Sequence, residues 1–240
     1  MYLNWKSFYS FTISYIKFLK ECITMSYTYF KKLFLYCLGL FIIALGVSIS
    51  KASNLGVSPV NSIPAVASNI LNINMGICTT TIFTLFIFIQ ILILQKDFKL
   101  YNLFQIIPSF LFGFFVSGSN FLCDLFLPEI TNYIVSIVYL LISILLVALG
   151  ILFYLNAEIL SLPGEGIIQA ISYKSKIKLS TAKIIFDWSL IIIATLVSLF
   201  YLGELNGIRE GTIIAALGVG MCIRFLEPLL EQPIRNFVYE

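Results

Sequence analysis

Six long apolar runs, each closed off by polar or charged residues, set the pattern of this chain. They cover about Lys32–Ser50, Met75–Leu94, Leu103–Phe126, Tyr133–Leu155, Leu179–Tyr201 and Gly211–Leu230. Each approaches the roughly 20 residues that an α-helix needs to cross the hydrocarbon of a bilayer. The pattern therefore predicts an all-α membrane protein with six transmembrane helices. Ahead of them, Phe8, Phe11, Tyr15, Ile16 and Leu19 recur at helical spacing among Lys6, Lys17 and Lys20. That spacing predicts an amphipathic helix on the membrane surface within a basic segment, residues 1–31. The lysines interrupt the apolar stretch and no clean cleavage site follows it, so a secretory signal is not expected.

The pattern also repeats. At an offset of 104 positions, Ala44-Leu45-Gly46 falls on Ala148-Leu149-Gly150, and without a gap Pro59 falls on Pro163. Ile63, Ser68 and Ile73 fall on Ile167, Ser172 and Ile177, while Asn54 lies over Glu158 and Asn61 over Glu165. The chain thus divides into residues 32–126 and 133–230, three runs each, with a cytoplasmic tail at 231–240. Three spans per half is an odd number, so the second half enters the membrane from the opposite face. Such inverted-topology repeats are a common plan for transporters.

Between the first two runs of each half lies a shorter segment. Ser58 followed by Pro59 reads as a capping hydroxyl and a proline at the first helical position, starting a helix over Pro59–Leu71. Pro163, with Gly164 and Gly166 around Glu165, starts its counterpart. These helices are too short to cross and are expected to be broken or re-entrant. Interrupted backbone at membrane depth must be covered by protein or water, and its free N–H groups make ligand sites.

Composition agrees with the pattern. The chain is 60% hydrophobic and 11% charged, far below the charge of a soluble domain. Of its 15 Lys and Arg residues, only Lys51 and Arg209 fall on one predicted side. Basic residues are retained in the cytoplasm, which predicts an integral membrane protein with both termini cytoplasmic. The 5 cysteines form no Cys-x-x-Cys pair, and there is no histidine. The cysteines read as packing residues. The commonest metal ligand and general base are both missing, so neither a cofactor nor an enzyme is expected.

A few polar residues stand inside or beside the apolar runs. Lys183 and Asp187 share a helix face four residues apart, about two turns into the fifth span, where a charge is costly unless paired or wet. Arg209 and Glu210 sit at the outer mouth of the sixth span, with Thr212 just within. Gln105 and Glu210 correspond after one residue of slippage, so amides in the first half face carboxylates in the second. The candidate substrate site comprises Asn54, Ser58, Asn61, Ser62, Gln105, Glu158, Glu165, Gln169, Lys183, Asp187, Glu210 and Thr212. Glycines such as Gly39, Gly46, Gly113, Gly118, Gly211, Gly218 and Gly220 mark places for close helix packing.

Leu55-Gly56-Val57-Ser58-Pro59, Pro163-Gly164-Glu165-Gly166 and Arg209-Glu210-Gly211-Thr212 resemble motifs of the bacterial YczE membrane proteins, related to the YitT proteins. The resemblance covers roughly residues 33–230 and implies a multi-span integral protein of a bacterial plasma membrane without supplying a reaction. The family pattern has an aspartate two residues after each proline, where this chain has Asn61 and Glu165. It also has a second glycine before the Gly-Thr pair, where Glu210 stands. The expected function is movement of a small solute through a site between the two halves. The alternative is a substrate-capture or accessory subunit of a larger uptake complex. The bilayer and an unidentified small solute are the expected partners, a homo-oligomer is compatible with the sequence, and nucleic acid is not expected.

Overall fold

A computed structural model of the chain describes residues 5–128, 132–204 and 207–239, with side chains described for 27–128, 132–204 and 207–238. It is built of helices: α1 (Trp5–Ala52), α2 (Pro59–Leu71), α3 (Met75–Leu94), α4 (Ile106–Phe126), α5 (Tyr133–Asn156), α6 (Pro163–Ser175), α7 (Leu179–Leu202) and α8 (Glu210–Tyr239). Two short 3-10 turns, Gln95–Asp97 and Leu100–Gln105, join α3 to α4. Six helical stretches are long and apolar enough to cross a membrane, and each of the six apolar runs falls on one of them. α2 and α6, with 13 residues each, are the two short helices that Pro59 and Pro163 predict.

Two boundaries differ from the pattern. The first membrane-capable stretch starts at Tyr27, and α1 runs on without a break from Trp5. The side chains Phe8, Phe11, Tyr15, Ile16 and Leu19, which define the expected amphipathic face, lie outside the described residues. At the other end α8 continues through Pro228 and Pro233 to Tyr239, past the point where hydrophobicity fades.

α1 and α5 form the centre. Their backbones touch: a Cβ on Gly39 would lie 2.5 Å from the Tyr154 amide nitrogen, and one on Gly150 would lie 2.6 Å from the Gly39 carbonyl. Tyr36 and Tyr154 meet edge to face across the same seam. Around it, Leu40, Ala44, Val47, Phe83, Phe112 and Ile167 are buried in one core, with Phe83 stacked on both Phe86 and Phe112. The periphery is apolar as well; Phe114, Phe121, Phe200, Met221 and Phe225 are exposed, as suits a surface solvated by lipid tails. In that solvent, van der Waals fit rather than water exclusion holds helices together, so close glycine contacts carry unusual weight.

The local backbone recurs at the 104-residue offset. Asn54 and Glu158 both adopt the left-handed conformation after α1 and α5, as Asn72 and Lys176 do after α2 and α6. Ser68 Oγ donates to the Ile73 carbonyl, and Ser172 Oγ donates to that of Ile177. The packing partners also correspond: α4 lies on α1 as α8 lies on α5, and α3 lies on α6 as α7 lies on α2. The largest departure concerns α3 and α4. α3 packs along α4, where a Cβ on Gly113 would come within 2.6 Å of the Gly76 carbonyl. Among the described residues, α7 and α8 make no extended contact.

Candidate functional site

The N-termini of α2 and α6 meet inside the bundle, where a Cβ on Gly164 would touch Val60. Proline opens both helices, because its missing N–H would have no helical partner there and its fixed φ suits the first turn. Ser58 has the extended backbone of a cap, but its hydroxyl does not bond the helix amides as the sequence predicts. Instead Ser58 Oγ accepts from Asn61 Nδ2 at 2.9 Å. The third residue of each helix, Asn61 or Glu165, therefore projects from the first turn into the space where the helices converge.

That space is a cavity of about 260 Å³ lined by Ser58, Pro59, Asn61, Glu165, Lys183 and Asp187. Its walls are apolar: Ile43 of α1, Phe83 of α3, Phe112 of α4, Val147 and Ile151 of α5, and Ala215, Ala216 and Val219 of α8. α7 bounds it on one side and α8 on another, the pair of helices without extended contact. Asp187 is 7% exposed, and its Oδ2 accepts from Lys183 Nζ at 2.8 Å. Glu165 stands outside the six membrane-capable helices. Its Oε2 is buried, while the residue keeps partial exposure into the cavity. Burial pushes its carboxyl above the usual carboxylate range; the Asp187 charge adds to this, while its own backbone amide, Lys183 and Tyr154 pull the other way. The Tyr154 hydroxyl lies within interaction range of the carboxyl, without the alignment of a full hydrogen bond.

Five of the twelve candidate residues thus come together: Ser58, Asn61, Glu165, Lys183 and Asp187. Ser62 Oγ is turned back to the Pro59 carbonyl. Gln169 is exposed, and Glu158 pairs with Lys32 at 3.1 Å away from the cavity. Gln105 is buried beneath α6, where its Oε1 accepts from Gln90 Nε2 at 2.9 Å.

Asn54, Glu210 and Thr212 belong to a separate assembly at one end of the bundle. Arg209 donates to the Asn54 carbonyl at 3.0 Å and to Glu210 Oε1 at 3.0 Å, and Gly211 N–H donates to the Leu55 carbonyl at 2.9 Å. Thr212 is fully buried against Gly56, whose φ of 101° suits a residue without a side chain. The Arg209-Glu210-Gly211-Thr212 motif therefore ties the head of α8 to the turn leading into α2. Beside it opens a vestibule of about 790 Å³ lined in part by Lys51, Asn54, Asn69, Asp124, Glu204 and Arg209.

Sequence reasoning missed the residues that hold the α6 end of the cavity. Gln90, fully buried, also donates to the Pro163 carbonyl at 3.1 Å. Tyr36 and Tyr101 hydroxyls donate to the Leu160 and Ile159 carbonyls just before α6. Gln90 was visible as a lone amide in the second apolar run; nothing in the sequence sets the two tyrosines apart from the other 11.

A family profile matches residues 30–228. The chain belongs to DUF6198, a family of unknown function. The DUF6198 match spans the cavity, the vestibule and the motif that ties α8 to α2. No curated protein and no solved structure matches this DUF6198 member.

Proposed function

We propose that this DUF6198 protein is a small-solute transporter whose site is the cavity where α2 and α6 converge. One observation carries the reading: two interrupted, proline-led helices from different halves aim their N-termini at a cavity that also collects the buried carboxyl groups of Glu165 and Asp187. Interrupted helices meeting at a polar site are the arrangement by which transporters bind solute at mid-membrane.

We infer further that residues 32–126 and 133–230 are inverted repeats. The recurrence of backbone conformation, serine bonds and packing partners at one offset supports this. Lys51 and Arg209, the two basic residues expected outside, line the same vestibule, which supports cytoplasmic termini in a bacterial plasma membrane. The resemblance to YczE and YitT proteins fits the same reading, which is one of translocation rather than catalysis.

The test is solid-supported-membrane electrophysiology on vesicles containing only the purified protein, challenged with a panel of small charged solutes. At least one solute is expected to give a current that Asp187→Asn abolishes and Gln169→Ala preserves. Saturable binding with no current from any solute would favour the capture-subunit reading, to which the broad exposed face of α8 also lends itself.

A further inference from the structure

We propose that the cavity takes a small organic monocation, a primary alkylammonium with an apolar body, held by the acceptor oxygens of Asn61, Glu165 and Asp187. The inference rests on the reading of the cavity as the solute site and names the solute class. Asn61 Oδ1 and Asp187 Oδ1 are buried without a hydrogen-bond donor from the protein, and Glu165 Oε2 has only the poorly aligned Tyr154 hydroxyl beside it. All three residues line this one cavity, from α2, α6 and α7. Asn61 and Asp187 are 6% and 7% exposed, so bulk water does not freely supply the missing donors. Burying an acceptor without a donor is costly, and a ligand rich in N–H groups that draws these side chains toward the cavity relieves several at once.

Charge points the same way. The Lys183 ammonium is engaged by Asp187 Oδ2, so an ionised Glu165 leaves the cavity at a formal charge of minus one, a state that burial disfavours when the cavity is empty and a bound cation favours. A monocation neutralises this set, whereas an anion would add to the excess in a medium of low dielectric. The apolar walls supply too few oxygens for a Ca2+ or Mg2+ ion, which takes about six or more. They suit a short hydrocarbon body, with the Phe83 and Phe112 rings available to a cation. The volume lies below the roughly 300–1,000 Å³ of pockets for drug-sized ligands.

The full-length protein in detergent is titrated with n-butylammonium, tetramethylammonium, butyrate and 1-butanol, reading thermal stability and calorimetric heat. Saturable binding is expected for n-butylammonium alone, weakened about tenfold or more by Asp187→Asn and by Glu165→Gln, and unchanged by Gln169→Ala. Because a carboxyl variant can misfold, Ser58→Cys provides a second readout. Its thiol should react faster with aminoethyl than with sulfonatoethyl methanethiosulfonate, and n-butylammonium should protect it. Tighter binding of butyrate or butanol, equal binding of tetramethylammonium, or a reachable thiol that n-butylammonium does not protect overturns the ammonium class and leaves the cavity as a solute site. A thiol that neither reagent reaches, with no probe bound, overturns both.

Discussion

Asn61 and Glu165 occupy the same place in two short helices and face the same difficulty, a polar tip held among apolar walls. The amide escapes part of it by donating to Ser58; the carboxyl does not, and burial raises its affinity for a proton. The folded state then binds that proton more tightly than the unfolded chain, so the stability it contributes is present at low pH and lost as pH rises from the usual carboxylate range through the folded value. Wild-type protein in detergent should melt at a lower temperature at about pH 8 than at about pH 5, and Glu165→Gln should flatten that slope. Lys183, Asp187, Tyr154 and Tyr36 surround the site, so the comparison of variant with wild type isolates the one carboxyl. An unchanged slope in Glu165→Gln would place the titration elsewhere. At this scale the sequence was legible where a residue type is rare in an apolar run, as with Asp187 and Lys183. It was silent on Tyr154 and Tyr36, because a tyrosine in such a run reads equally as packing or as a lipid-facing ring.

Proline and glycine carry the information at the scale of elements. Pro59 and Pro163 announce α2 and α6 to the residue, since a ring that removes an N–H costs least in the first turn. Hydrophobic runs locate the six long helices but not their ends: the chain of α8 passes Pro228 and Pro233 without stopping. Glycines were legible as packing sites without saying which partner each meets. Gly39, against Gly150 and Tyr154, has no room for a Cβ, whereas Gly118 has nothing within 4 Å. Gly39→Leu should therefore prevent normal folding or lower stability by about 1–3 kcal/mol or more, read as loss of a monodisperse peak and a lowered melting temperature. Gly118→Leu should behave as wild type. Equal behaviour of the two variants would mean that α1 and α5 do not approach as described.

The whole molecule departs from its own recurrence most clearly at one seam. α3 and α4 are sealed by glycine contacts, while α7 and α8 stand apart across the cavity. If the halves exchange roles during transport, the sealed seam must part when the open one closes. Ser117 Oγ donates to Asn74 Oδ1 at 2.6 Å across this seam, which places cysteines at the two positions within reach of a disulfide or a short bis-thiosulfonate linker. Asn74→Cys with Ser117→Cys, in a background lacking the native cysteines, should cross-link, abolish the solute current and regain it on reduction, with binding retained throughout. Full current in the oxidised protein would exclude any mechanism that parts α3 from α4. None of this asymmetry could be read from the chain, because both seams are written in the same small and apolar residues and only their three-dimensional fit separates them.

The bond from Arg209 to the Asn54 carbonyl joins the start of the last helix to the strip of chain that ends at Pro59. It bridges two segments 155 positions apart in the chain, at the rim of the vestibule. A molecule that wedged between these two residues would strain the turn that leads to Pro59, two residues ahead of Asn61. A disturbance at the rim would then be felt at the cavity without any molecule entering it.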